Sequence, residues 1–349
     1  VNGGTNTNTY KITYTTAASP ALVARTVSNT AHLKKGEHEE EVTAKVTIDS
    51  GGSVDKASGT LDKTTGVLPW TVTIHVPAGG IPANTQLVDE MDRSVDGNVY
   101  MTNLQVKAAV GAFCNALNIQ PEKVKVDIQE YVWSPDQYEY SQIDNYTNVK
   151  FRKLTLTLLE DWVPENGQAQ NISVTYNTTL KIDPAKMNQV YSNYFKAGEK
   201  ESSAQFEYWR SGVEKTDDDG HTGTSTVTSQ GTLIWKVIVT LDDTPRQFLD
   251  ITDTLPTGVT LDGLVLIQPT DQGNDRTKGM DIGEDGTISG QDGLYRVAGT
   301  YDKTTGKVSL NVTAVSGGNL PAKTKLTFVF GCQTAITDND THTFTNNVE

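Results

Sequence analysis

A chain of 349 residues has room for two domains of ordinary size, each with its own core. Its net charge of -14 and pI near 4.8 make nucleic acid and anionic membranes poor partners, and suit a soluble, self-repelling secreted protein. No apolar run approaches a membrane span, and Val1-Asn2-Gly3-Gly4 is no signal peptide, so any targeting and anchoring segments are expected outside this chain.

Thr, Asn, Gly and Val are abundant, and strand-like alternation outweighs helical periodicity, which predicts an all-β chain of sandwiches. At the start, Tyr10–Thr16 alternates and a second strand carries Asn29. The same layout returns as Ile172–Thr178 with Asn193, and again as Leu326–Phe330 with Asn346. The links that follow also match: Lys35-Gly36-Glu37 before Ala44–Ile48, and Ala197-Gly198-Glu199 before Ala204–Tyr208. Residues 1–33 are therefore expected to be the closing strands of a preceding repeat unit, the alternative being extra strands of the first full domain. The first full domain is then 34–195 and the second 196–349.

Each full domain opens on a polar turn holding a lysine, Lys56 in one and Lys215 in the other. Next comes a tryptophan strand: Trp70, Val72, Ile74 and Val76 share one face, as do Trp235, Val237, Val239 and Leu241. A short strand then places Asp89, or Asp253, among apolar neighbours. Residues 98–150 read as an insertion that the second domain lacks. Within it Val106, Ala109, Val110, Phe113 and Leu117 keep helical spacing, and Asn118 and Pro121 end a short helix expected to cap the core. A partner-binding helix is the alternative. The Gly- and Asp-rich stretch 271–292 lacks the spacing of an EF-hand calcium loop and reads as a solvated hairpin.

Aligned in this way, the chain carries the sets Lys56, Asp89, Asn193 and Lys215, Asp253, Asn346. Asn29 is a possible acceptor for the truncated preceding unit. The pattern resembles the isopeptide-forming immunoglobulin-like domains of Gram-positive adhesins and pilins, of the collagen-adhesin A-region type. The phrases ITDTLPTG (251–258) and TFTNNV (343–348) carry the resemblance in the second domain, whereas LVDEMDRSVDG (87–97) in the first lacks the Leu-Pro. The resemblance implies tandem immunoglobulin-like, Greek-key β-sandwiches. It also implies a Lys–Asn amide bond formed without an enzyme, with the aspartate as helper carboxylate.

That chemistry is physically coherent. Burial among Trp, Val and Leu pushes a lysine towards its neutral, nucleophilic form. A protonated carboxyl in the same apolar site can donate to the asparagine carbonyl and stabilise developing charge. Folding supplies the effective concentration. In the first domain Glu90 and Asp92 compete with Asp89 for this role, and Lys45 competes with Lys56. Taken singly, each residue has an ordinary reading as a solvated lysine, a strand-end aspartate or an edge-strand asparagine.

The chain is accordingly read as a structural stalk or shaft segment of a bacterial cell-surface adhesin or fibre, not an enzyme beyond one intramolecular turnover. It would be extracellular and cell-wall anchored through segments outside this chain. Neighbouring repeat domains are the expected partners, with a host surface or matrix protein possible, and no nucleic acid or membrane insertion. The first alternative is a tandem-domain region that binds a host matrix protein, using 98–150 and Tyr131, Trp133, Tyr138 and Tyr140. The second is a carbohydrate-binding module, weakened by the lack of an evident carboxylate pair. No cofactor or metal is expected, since histidines 32, 38, 75, 221 and 342 show no ligand spacing. Cys114 and Cys332 read as two buried thiols rather than a disulfide.

Overall fold

The computed structural model describes residues 13–94, 97–131, 136–218, 224–227, 231–268, 276–336 and 342–346. Trp133, His221 and residues 271–275 therefore lie outside the described residues. The chain divides into two compact units: unit 1 is 1–182 with 190–206, and unit 2 is 183–189 with 207–349.

Unit 1 begins with residues 13–20, which form no strand, and then a hairpin of β1 (Arg25–Lys35) and β2 (His38–Ile48). Gly36 turns it at φ 64°, a backbone state that costs glycine little. Strand β1 thus runs through position 33 to the turn. The hairpin is two-faced. Thr26 meets Thr47 and Thr30 meets Thr43 on one side, while Val27, Leu33, Val42 and Val46 lie exposed on the other.

The body of unit 1 comprises β3 (Ser53–Ser58), β4 (Val67–Val76), β5 (Gln86–Met91), β6 (Val99–Tyr100), α1 (Asn103–Leu117), β7 (Val124–Gln129), β8 (Gln137–Glu139), β9 (Lys153–Leu158), β10 (Gln170–Leu180), β11 (Asn188–Ala197) and β12 (Lys200–Trp209). One sheet has the order β3-β4-β10-β6 and the other β12-β11-β5-β9-β7-β8. Strand alternation turns Trp70, Val72, Ile74 and Val76 inward with Ile172, Val174 and Tyr176 beside them. Each such fully buried apolar side chain stabilises by roughly 1.5–3 kcal/mol.

Helix α1 starts at a Thr102 N-cap that exchanges hydrogen bonds with Gln105 and ends at Asn118, φ 51°. Its buried stripe is Val106, Ala109, Val110, Phe113, Cys114 and Leu117, and it packs on β10. The segment 98–150 supplies more than this helix. β7 hydrogen-bonds β9 on one side and β8 on the other, so it is an interior strand of the larger sheet.

Unit 2 contains β13 (Gly212–Asp217), β14 (Thr224–Val227), β15 (Thr232–Leu241), β16 (Phe248–Thr254), β17 (Val259–Gln268), β18 (Arg276–Ile282), β19 (Thr287–Gln291), β20 (Tyr295–Asp302), β21 (Lys307–Ala314), β22 (Thr324–Thr334) and β23 (His342–Thr345). Nine strands join in the order β13-β15-β22-β17-β18-β19-β20-β21-β16, and β14 pairs with β23. Its core is continuous from Leu233 and Trp235 through Tyr295 and Val312 to Phe330 and Cys332.

The two units share registers. Trp70 faces Tyr176 across β4–β10 as Trp235 faces Phe330 across β15–β22. Lys56 faces Val72 as Lys215 faces Val237. The architecture is all-β and mostly antiparallel, with tandem domains and few short helices. Among the described residues no helix is long and apolar enough to cross a membrane.

Candidate functional site

In unit 1 the register of β3 on β4 sends Lys56 inward beside Val72, and β5 of the facing sheet presents Asp89. Their side chains are 0% and 1% exposed, and Lys56 Nζ donates to Asp89 Oδ1. The same nitrogen donates to the Tyr176 hydroxyl at 2.7 Å and to the Tyr194 carbonyl at 3.4 Å. Tyr176 in turn donates to Asp89 Oδ1 at 2.7 Å. Three rings surround the amine, with centroids 5.8 Å away for Trp70, 5.3 Å for Tyr176 and 5.8 Å for Phe195. Helix α1 closes this cluster. Phe113 lies 5.8 Å from the Tyr176 ring and 5.8 Å from the Phe195 ring, touching both sheets.

Burial dominates the electrostatics. It pushes the Lys56 amine down from 10.5 to about 8, against the opposing pull of Asp89. It also holds the Tyr176 phenol well above its ordinary value, reinforced by the Asp89 charge. Asn193, on β11 two residues from Phe195, is fully buried beside the Tyr176 hydroxyl. Neither its Oδ1 nor its Nδ2 makes a hydrogen bond, and Asp89 Oδ2 has no partner either.

Unit 2 repeats the arrangement with fewer contacts. Lys215 on β13 and Asp253 on β16 come from the two ends of the nine-strand run, which doubles back so that they meet. Nζ and Oδ1 are 2.5 Å apart, and the side chains are 3% and 0% exposed. Trp235 lies 5.9 Å from the amine, and burial lowers the lysine's pKa against the pull of Asp253. Asn346 follows β23, is buried, and has neither side-chain atom hydrogen-bonded. It makes no hydrogen bond to Lys215 or Asp253. Asp253 Oδ2 is likewise unpartnered.

The competing residues have other employment. Glu90 pairs with Arg93 at 2.7 Å and Lys153 at 3.6 Å. Asp92 accepts the backbone N–H groups of Ser94 and Asn98 at 2.9 and 2.7 Å. Lys45 is exposed on β2, and Asn29 is exposed on β1 with its amide on the Tyr14 hydroxyl. Of the aromatics expected to form a binding surface, Tyr138 and Tyr140 are half-buried. Tyr138 meets Tyr146 and Phe151 edge-on, while exposed Tyr131 stacks on Arg152. In the acidic loop, Asp285 and Asp292 accept hydrogen bonds from nearby turn backbone. Among the described residues no group of three or more His, Cys, Asp or Glu is arranged to hold a metal.

The sequence reading missed Tyr176 as a site residue, and read Cys332 as a buried thiol without placing it at the site. Tyr176 looks like any inward-facing aromatic in an alternating strand, and its signal is the contrast with Phe330 at the same register. Cys332 takes the position of Thr178, whose hydroxyl accepts the Trp70 indole N–H at 2.8 Å. Both cysteines are free and buried, and burial drives the Cys332 thiol up to about 12, with Asp253 and Lys215 acting in opposite senses on it.

No protein-family model and no curated protein matches the sequence. Among solved structures, the C-terminal domain of the antigen I/II-family protein AspA of Streptococcus pyogenes is similar at 11% identity and a TM-score of 0.34, over 85% of this chain and 96% of that one. The C-terminal domain of the AgI/II polypeptide BspA of Streptococcus agalactiae gives 12% and 0.31, over 85% and 99%. The collagen adhesin CNA of S. aureus gives 10% and 0.22, over 86% and 93%. None of these likenesses is close enough to assign a function.

Proposed function

We propose that this chain is a structural segment of a bacterial cell-surface adhesin or fibre, whose immunoglobulin-like, Greek-key units are each closed by a Lys–Asn amide bond. The observation that carries this reading is a pair of buried carboxamides, Asn193 and Asn346, with no hydrogen-bond partner, each in a unit that also buries a Lys–Asp pair. An unsatisfied buried polar group costs roughly 1–3 kcal/mol, so two at repeated positions call for a reason. Conversion into an amide supplies one.

The ammonium of Lys56 passes a proton to Asp89, and the neutral amine attacks Cγ of Asn193. The protonated carboxyl donates to the carbonyl oxygen while charge develops there, gives its proton to the departing nitrogen, and takes up the second proton that the attacking amine sheds, so that Asp89 ends protonated. A C–N bond forms, the old C–N bond breaks, and ammonia leaves. The lysine charge disappears from a site where an ion pair is expensive to keep dry. Lys215, Asp253 and Asn346 have the corresponding roles in unit 2. In the same reading residues 1–33, which include most of β1, are the closing strands of a preceding unit, and Asn29 is the acceptor there. An amide is indifferent to reductants, which suits a shaft outside the cell.

The test is a protease map of the reduced protein. It should contain a branched peptide joining the Lys56 segment to the Asn193 segment, and a second joining Lys215 to Asn346. Linear peptides alone, with both asparagines intact, would contradict the proposal.

A further inference from the structure

The two units differ at one register position in a way that the shared reading leaves unexplained. In unit 1 a phenol, Tyr176, bonds to both the amine and the carboxylate, 2.7 Å from each. In unit 2 the residue opposite the equivalent tryptophan is Phe330, which has no hydroxyl. Among the described residues Lys215 Nζ has a single hydrogen-bond partner, Asp253, where Lys56 Nζ has three.

We propose that Tyr176 is a further catalytic side chain of unit 1, restricting rotation of the Lys56 amine and fixing the rotamer of Asp89 during amide formation. This rests on the amide reading above and assigns unit 1 a machinery that unit 2 lacks. Once the ammonium has given one proton to Asp89, two N–H groups remain, and Tyr176 Oη and the Tyr194 carbonyl accept them. Rotation of the amine about its last bond is then restricted. The phenol's own hydrogen is committed to Asp89 Oδ1, which fixes the carboxyl rotamer, and Oδ2 has no partner. The phenol neither gains nor loses a proton over the cycle. Amine plus carboxamide still gives amide plus ammonia, with Asp89 passing one proton to the departing nitrogen and keeping the second that the lysine sheds. Burial raises the phenol's pKa well above its ordinary value, which favours the protonated, donating form.

Geometry rather than packing is the basis for the assignment. A ring alone would fill the space, as Phe330 does beside Trp235. Tyr176 is buried, with the Phe113 ring tilted against it at 5.8 Å.

The experiment times the mass loss after refolding of chain isolated in denaturant, before it has ever folded. A Lys215→Ala background leaves only the unit 1 bond to form. Tyr176→Phe in that background should slow the conversion about tenfold or more, the effect of losing a hydrogen bond to a charged group at the reacting atoms. The pH–rate profile should shift as well, because the hydroxyl contributes to setting the state of the Lys56–Asp89 pair. In a Lys56→Ala background, Phe330→Tyr should accelerate the unit 2 bond. A Tyr176→Phe chain that converts within twofold of its parent and with a superimposable pH profile would overturn the role of Tyr176 while leaving amide formation intact. A parent chain that never loses ammonia from unit 1 would overturn the amide reading and this role with it.

Discussion

Lys56 is the residue whose environment says most about the molecule. Its amine is wholly buried, and desolvation outweighs the attraction of Asp89. In an Asn193→Ala chain, where no bond can form, that imbalance becomes a pH-dependent stability. Below about pH 8 the lysine is protonated whether folded or unfolded and contributes no pH dependence. Between about 8 and 10.5 the unfolded chain holds more protons than the folded one, so stability rises with pH. The gain across that window is on the order of 3 kcal/mol, and urea titrations of Asn193→Ala and of Lys56→Met/Asn193→Ala should differ by that trend. Identical pH profiles would mean that Lys56 is solvated in solution. Asp89→Asn leaves an ammonium buried without a counter-charge. It should cost about 3–5 kcal/mol relative to Asn193→Ala, which also lacks the bond but keeps the pair. At this scale the candidate lysines, aspartates and asparagines were legible because they recur in order. The choice of Asp89 over Glu90 and Asp92 was not, since three carboxylates in four positions look alike until the strand register decides which faces inward.

The elements show how local patterns cooperate. Helix α1 was readable from its 3.6-residue apolar stripe and from Asn118, and its placement turns a surface feature into a lid over the amine. Phe113→Ala should remove the ring that bridges Tyr176 and Phe195, costing about 3–5 kcal/mol. By admitting water it should slow bond formation in unit 1 and leave unit 2 unchanged; equal slowing of both would refute a local role for the helix. Strand β7 was harder to see. Its Val-Lys-Val-Asp-Ile-Gln run alternates, but nothing in six residues says that it becomes an interior strand. A clearer sign passed unread: Asp62-Lys-Thr-Thr-Gly66 recurs as Asp302-Lys-Thr-Thr-Gly306. The two make the same turn, with the Asp accepting from the Thr two and three residues on and the Gly at φ 72°. Both cradle the start of a strand, β4 in one unit and β21 in the other.

For the whole molecule, the repeat was legible from the two tryptophan strands, and their shared register bears on both candidate sites. The order of nine strands in unit 2 was not, because long-range pairing leaves no local mark on an alternating sequence. Each proposed bond closes a loop of well over a hundred residues and constrains the unfolded chain by roughly 4–5 kcal/mol. Reductant should not touch this stabilisation, since both cysteines are free. The two bonds are independent in this account, one per unit, each governed by its own lysine. The most direct measurement is the intact mass of the denatured chain, alone and with Lys56→Ala, Lys215→Ala or both. Each amide formed from Lys and Asn removes about 17 Da as ammonia. The account predicts a parent chain two such losses below its sequence mass, one loss in each single variant and none in the double. A parent chain at its full sequence mass would contradict it.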